Sequence, residues 1–128
     1  GVLKYLRVEY TGAAFNSSKE FNGVSFFGVG SGTTVEYVQS YNGGDDGIEF
    51  FGGTVSMTNA ISYGNYDDAF DWQDGWQGQN NSNWYALQVT KGNYVSEEFK
   101  KRVSKKECNV FFSFNLQGSV RGSERLLF

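Results

Sequence analysis

Carboxylates are the side chains in this sequence whose type and spacing could do chemistry. Seven acidic residues crowd into positions 45–74, namely Asp45, Asp46, Glu49, Asp67, Asp68, Asp71 and Asp74. Asp45-Asp46 recurs as Asp67-Asp68, and Glu49 recurs as Asp71, both after 22 residues. A repeat of this length predicts that equivalent positions stack, with each carboxylate about 4.8 Å from its equivalent in the neighbouring repeat.

Stacked carboxylates repel one another, and a bound cation would relieve that repulsion. Ca²⁺ suits such a site because it takes roughly six to eight oxygen ligands from carboxylates, carbonyls and water. We expect Glu49 and Asp71 to be the Ca²⁺ ligands, since both are predicted to lie within strands where no turn needs them. Asp46 and Asp68 precede Gly47 and Ala69 at corners, where aspartates often accept hydrogen bonds from backbone N–H groups instead.

A catalytic role is the alternative for the same acids. Many glycoside hydrolases use two carboxylates, one as acid and one to activate water, and Asp45, Asp46, Asp67 and Asp68 could supply such a pair. The chain has no His, which excludes His-based catalysis and His metal sites. A lyase would need a basic side chain near the acids, and residues 1–92 contain only four Lys or Arg. We therefore favour a protein without catalytic activity.

Exposed aromatic side chains would support a third role, the binding of polysaccharide. Candidate platforms for sugar rings are Tyr41, Tyr63, Tyr66, Trp76, Trp84 and Tyr85, with Asn and Asp supplying hydrogen bonds. Trp76 lies in a polar loop, so we expect it to be the most exposed of them. Most of the Phe residues we assign to the core.

An apolar spacing of three and then two residues identifies the elements that would position these side chains. The sets are Leu3/Leu6/Val8, Val35/Val38/Ser40, Met57/Ala60/Ser62 and Trp84/Leu87/Val89. A regular strand would give steps of two, so the step of three predicts a bend between two short strands. The abundance of Val, Tyr, Ser, Asn and Gly in these windows argues against helices.

A second strand follows in each repeat and alternates cleanly. We expect two stacks inside, Val24/Ile48/Phe70 and Phe26/Phe50/Trp72, with Ser25, Glu49 and Asp71 pointing outward. Residues 13–21 and 73–83 are predicted to be loops.

Short strands recurring every 22 residues predict an all-β fold, a right-handed parallel β-helix of about three and a half coils over residues 1–92. Such a stack leaves unpaired edges and would associate end to end if uncapped. Residues 93–128 form a basic tail, in which Ser96 and the charges around it predict a helix over 96–106 that caps the last coil.

Composition narrows the partners. Residues 1–92 carry four bases and ten acids, which argues against a nucleic-acid footprint. No apolar run reaches the length of a membrane span, so we expect no membrane insertion. The single cysteine, Cys108, excludes an internal disulfide.

The block Gly-Asp-Asp-Gly-Ile-Glu-Phe-Phe-Gly-Gly, at 44–53, resembles a group of bacterial secreted or surface-anchored β-helix repeat proteins, mostly lipoproteins. The resemblance extends over roughly residues 2–90 and implies a fold and an exterior location, but no activity. We therefore predict an extracellular or cell-surface module with a structural, adhesive or glycan-binding role. The alternative is a fragment of a polysaccharide lyase or glycoside hydrolase that uses the stacked carboxylates.

Overall fold

The computed structural model describes residues 1–17 and 19–88, together with the backbone of two short strands near the C-terminus. The described residues form eleven strands and no helix, so none of their elements is a membrane-spanning helix. The strands are β1 (Val2–Glu9), β2 (Ala14–Asn16), β3 (Lys19–Glu20), β4 (Val24–Phe27), β5 (Thr34–Tyr41), β6 (Ile48–Phe51), β7 (Ser56–Tyr63), β8 (Phe70–Gln73), β9 (Ser82–Leu87), β10 (Phe112–Phe114) and β11 (Glu124–Arg125). The prediction of an all-β fold is confirmed.

Two parallel sheets carry the architecture. One contains β1, β5, β7 and β9 in that order, and the other contains β4, β6 and β8. The chain alternates between the sheets, so each circuit adds one strand to both. Circuits stacked in this way are the arrangement that the 22-residue repeat predicts.

The step of three marks a bend, as expected. Tyr37 lies between Val35 and Val38 and adopts the left-handed backbone region, with φ of 57°. The stacked positions Tyr5, Asn59 and Asn83 have φ between 56° and 58°. One left-handed residue inside each long strand turns the chain, so that the residues on both sides of the bend can point inward.

The core is a set of columns that run through the stack. Ile48 pairs with Val24 and Phe70, and Phe50 pairs with Phe26 and Trp72, which confirms both predicted stacks. The fully or almost fully buried apolar residues are Phe26, Val35, Val38, Ile48, Phe50, Val55, Met57, Ala60, Ala69, Phe70, Trp72, Trp76, Trp84 and Ala86. Burying apolar side chains of this size contributes about 1.5–3 kcal/mol each to folding.

The close approach of successive coils explains one of the glycines. A Cβ built on Gly47 would lie 2.6 Å from the carbonyl oxygen of Ala69 and 2.4 Å from Oγ of Ser62. Those contacts are far shorter than van der Waals distances, so only Gly fits at this corner beside the next coil.

One predicted register is wrong. We expected Trp84 to occupy the position of Met57, but it pairs with Ala60. The loop before β9 lengthens that coil, because Thr58 pairs with Ser82, 24 residues later rather than 22. The position of Met57 is instead continued by Asn81, whose Oδ1 accepts a hydrogen bond of 2.9 Å from the Met57 N–H.

Both predicted loops break the repeat. Residues 13–21 contain the antiparallel hairpin of β2 and β3, closed by a 3.2 Å bond from the N–H of Phe21 to the carbonyl of Ala13. This insertion lengthens the first coil, since Val2 pairs with Thr34, 32 residues later.

Strands from the C-terminal region extend both sheets at their far edge. β10 pairs with β9 and β11 pairs with β8, both antiparallel. The helix predicted over 96–106 lies outside the described residues.

Replacing Ile48 by Asp tests the registered core. Ile48 is fully buried, so the charge would enter an apolar column and cost about 3–5 kcal/mol, a large part of a domain's stability. The matched variant Gln39→Asp changes a half-buried side chain that already accepts a hydrogen bond from Arg7. Thermal melts should show a large loss for Ile48→Asp and a small change for Gln39→Asp. Equal melting temperatures would contradict the register.

Candidate functional site

The repeat brings three acids together at one end of the second sheet. Asp46 lies in the corner before β6, and the register places Glu49 of β6 beside Asp71 of β8. Each contributes a carboxylate oxygen to a group in which all three oxygens lie within 4.8 Å of one another. We call Asp46, Glu49 and Asp71 the acidic cluster.

The acidic cluster is buried, contrary to expectation. Glu49 and Asp71 were predicted to point outward into solvent, but they are only 5% and 6% exposed. They do alternate with the core residues Ile48 and Phe50 along the strand. However, the side-chain amides of Asn22 and Gln73 both bond to Glu49 and help to cover it.

Hydrogen bonds within the protein satisfy part of the cluster. Asn22 Nδ2 and Gln73 Nε2 donate to the two Glu49 oxygens, and Asp71 Oδ1 accepts from the Trp72 N–H at 2.8 Å. Asp46 Oδ1 accepts from the Asp68 N–H at 2.8 Å. The backbone role expected for Asp46 is thus observed, although its donor belongs to the next coil.

Burial makes these carboxylates weak acids. It raises the pKa of Asp46 to about 8, although the bond from the Asp68 N–H opposes the shift. Burial also raises the pKa of Glu49 to about 7, against the hydrogen bond from Asn22. Neutral carboxyl groups therefore compete with carboxylates near neutral pH unless a cation is bound.

A second acidic group adjoins the cluster and shares one residue with it. Asp45, Asp46 and Asp67 contribute oxygens within 4.8 Å of one another. Burial raises the pKa of Asp45, and the neighbouring charge of Asp67 raises it further. Asp68 is buried, whereas Asp74 is exposed and belongs to neither group.

The acids have no basic partner in the described part of the chain. Its two ion pairs, Lys4–Glu36 and Arg7–Glu9, involve β1 and β5 of the other sheet. Without a neighbouring Lys or Arg, the arrangement offers cation binding and proton sharing rather than a base and an electrophile for bond cleavage.

Trp76 is part of the core, which corrects the prediction that it is exposed. Its side chain is fully buried, and its ring stacks on Phe50 with 4.4 Å between centroids. Its Nε1–H donates to the Val55 carbonyl at 2.9 Å. The loop is polar along its backbone but folds the indole back over the end of the core, which the local composition did not reveal.

The other predicted platforms are mostly engaged by protein groups. Tyr41 and Tyr63 stack on each other at 4.9 Å, and the Arg7 guanidinium lies 4.5 Å above the Tyr41 ring. Tyr66 is half-buried, and Trp84 is buried. Tyr85, 40% exposed, remains accessible.

A groove at the bend of the first sheet is the open site that the sequence analysis missed. Its volume is about 430 Å³, and it crosses β1, β5, β7 and β9. The residues that line this axial groove are Tyr5, Leu6, Arg7, Tyr37, Val38, Gln39, Asn59, Ala60, Ile61, Asn83 and Tyr85. The only sequence sign of it is the Tyr or Asn found two residues after Leu3, Val35 and Met57.

One wall of the axial groove is the column of left-handed residues. The rings of Tyr5 and Tyr37 stack at 5.0 Å and within 7° of parallel. Asn83 continues the wall by donating from Nδ2 to Asn59 Oδ1 at 3.0 Å. We call Tyr5, Tyr37, Asn59 and Asn83 the bend column.

The opposite wall is also a column in register. Arg7, Gln39, Ile61 and Tyr85 pair in sequence across the four strands. Arg7 donates a hydrogen bond to Gln39, whereas Ile61 and Tyr85 are each about 40% exposed. The axial groove thus offers rings, amides and one guanidinium along its length.

Comparison with known proteins identifies the fold family. The family model described as a pectate-lyase-like β-helix domain matches residues 1–115. No curated protein and no solved structure matches the chain. The match extends over most of the chain and agrees with its two parallel sheets. The chain therefore belongs to the family of pectate-lyase-like β-helix domains.

Proposed function

We propose that this chain is a glycan-binding β-helix module of the cell exterior, and that the axial groove is its binding site. The observation that carries the proposal is an open groove of about 430 Å³ with tyrosine, amide and guanidinium side chains on its walls. Ligand sites commonly have this size and combine apolar surface with a few polar groups. Membership of a family named after an enzyme of pectate, a polysaccharide, supports the same ligand class.

The backbone of the bend column adds a second argument. Tyr5 and Tyr37 hold φ values of 58° and 57°, a region that Asn or Gly occupies at lower cost. The next two coils place Asn59 and Asn83 at the same position. Mutual stacking recovers only about 0.5–1.5 kcal/mol. Two strained and exposed tyrosines in one column are what a ligand site would retain.

Substituting Tyr37 by Asn tests the glycan-binding proposal without disturbing the bend. Asn is the residue that the fold itself uses at this position in the next two coils. In pull-down and affinity electrophoresis with cellulose, xylan, mannan, starch and polygalacturonate, the native chain should bind at least one polysaccharide. Tyr37→Asn should weaken that binding about tenfold or more, because a ring's contact area is lost.

Tyr10→Asn is the matched control. Tyr10 is also exposed, with a left-handed φ of 53°, but it does not line the axial groove. It should bind as the native chain does. If none of the five polysaccharides binds, or if both variants lose binding equally, the proposal is wrong.

The acidic cluster supports a second candidate role, a structural Ca²⁺ site that stabilises the module. Three carboxylates excluded from solvent and within 4.8 Å of one another are a costly arrangement without a cation. Asn22 and Gln73 already contact Glu49, and half a turn of either amide would present an oxygen instead of an N–H. Carboxylate and amide oxygens are the ligands that Ca²⁺ prefers. At this burial, the ion would support the fold rather than contact a glycan.

The raised pKa values predict how the Ca²⁺-free protein responds to pH. Because the pKa of Asp46 rises from 3.8 in the unfolded chain to about 8 in the folded one, the folded state binds more protons between those values. Stability should therefore fall as pH rises from about 4 to 8. Melting curves in chelator should show this decline, and Asp46→Asn should flatten it while keeping an oxygen for the Asp68 N–H. A stability that rises over this interval would contradict the assignment.

Adding Ca²⁺ at pH 7.5 should raise the melting temperature. An ion that binds only the folded state adds about 2.7 kcal/mol of stability at a hundredfold excess over its Kd. Glu49→Gln should reduce the shift. Glu36→Gln, which removes the same charge from the other sheet, should retain it. Identical melts in chelator and in millimolar Ca²⁺ would refute the Ca²⁺ site.

A further inference from the structure

The axial groove has a repeat, a direction and a charge, and together these restrict the glycan it can hold. We infer that it binds an extended, neutral β-1,4-linked chain that lies parallel to the axis of the β-helix, with one sugar beside each coil. This inference rests on the proposed glycan-binding function of the groove. It adds the linkage, the charge and the orientation of the ligand.

The repeat comes from the strand ladder. The bend column and the opposite wall each contribute one side chain per strand, and the strands are in register across all four coils. Neighbouring strands lie about 4.8 Å apart, and the rings of Tyr5 and Tyr37 follow that spacing at 5.0 Å. An extended β-1,4-linked chain advances by a similar distance per sugar. Successive sugars would therefore meet equivalent positions on the walls, whereas the curved α-1,4-linked chains would leave the groove.

The straightness of the groove selects the same shape. Its floor is formed by Leu6, Val38 and Ala60, which pair in one column. Because they stack without a shift in register, the floor runs straight along the axis. A flat chain with apolar faces can lie on this floor while its hydroxyls reach the polar walls.

The chemistry of the walls matches hydroxyl groups. Gln39, Asn59 and Asn83 each provide both a donor and an acceptor, and the tyrosines add hydroxyls. The rings of Tyr5 and Tyr37 lie face to face, so a ligand in the groove meets mainly their edges and hydroxyls. Recognition would combine hydrogen bonds to the sugar hydroxyls with apolar contact to Ile61 and Tyr85, which are about 40% exposed.

The charge distribution excludes a cationic ligand and does not require an anionic one. Residues 1–92 contain ten acids, but none of the residues that line the groove is acidic. Its single cation, Arg7, is already paired with Glu9 and also donates to Gln39. With the charge of Arg7 compensated, the groove is close to neutral and suits an uncharged chain.

Isothermal titration of the full chain with soluble oligosaccharides tests the inference. Cellohexaose or mannohexaose should bind at least tenfold more tightly than maltohexaose, which has the α-1,4 linkage, and than hexagalacturonate, which is anionic. Affinity should rise at least tenfold from the disaccharide to the tetrasaccharide, since each added sugar reaches another of the four strands. The double variant Tyr5→Asn/Tyr37→Asn should lose most of this binding, and Tyr10→Asn should not.

Two results separate this inference from the function on which it rests. If maltohexaose or hexagalacturonate binds best and Tyr37→Asn weakens that binding, the groove binds glycans but the inferred chain type is wrong. If the β-1,4-linked chains bind equally well to the native chain and to the double variant, they bind elsewhere and both statements fail. Chelator should not change the binding of the neutral chains, because the acidic cluster lies on the other sheet.

Discussion

In-register stacking of parallel strands is the constraint on which this structure depends. Each residue in a paired strand has its equivalent directly above and below it, so the sequence is organised in columns. Ile48 is fully buried because Val24 and Phe70 occupy its column on both sides. The same constraint brings Glu49 next to Asp71 and stacks Tyr5 on Tyr37. Core, acidic cluster and axial groove are thus three results of one pairing rule.

Columns of different chemistry resolve their contacts in different ways. Aromatic columns gain from stacking, as Phe26 does on Phe50 at 5.1 Å. Amide columns form hydrogen bonds along the stack. Asn65, for example, accepts from the Gly43 N–H at 2.7 Å and donates to Ser62 Oγ at 2.7 Å, although it is only 4% exposed. Acid columns have no such solution of their own, and this is why the pKa values of Asp46 and Glu49 rise.

The repeat in the sequence was enough to predict the columns but not what covers them. The 22-residue interval correctly placed Glu49 beside Asp71 and Phe50 beside Trp72. Burial of the acids depends on Asn22 and Gln73, which come from segments outside the repeat. Trp76 was misjudged for the same reason, since a loop residue can fold back onto the core without any local periodicity. The alignment of Trp84 failed because an irregular loop changed the interval from 22 to 24 residues.

The axial groove shows a different limit. The spacing of three correctly predicted a bend, but its shape depends on backbone angles that spacing does not encode. A left-handed residue turns the outward side chains on its two sides toward each other, which makes the surface concave. Tyr5 and Tyr37 gave little indication of this, because Tyr is an uncommon choice for such angles. The asparagine at position 59 was the better indicator, since Asn adopts this region more readily than most residues.

The hairpin of β2 and β3 has a consequence for how coils of this kind can be modified. It makes the interval between paired residues 32 instead of 22, yet the ladder resumes in register on its far side. The two ends of the insertion, Ala13 and Phe21, are hydrogen-bonded to each other. An insertion whose ends meet places no demand on the coil beneath it. This corner is therefore a natural graft point, where a whole folded domain with neighbouring termini could replace the hairpin and be displayed from a rigid rod.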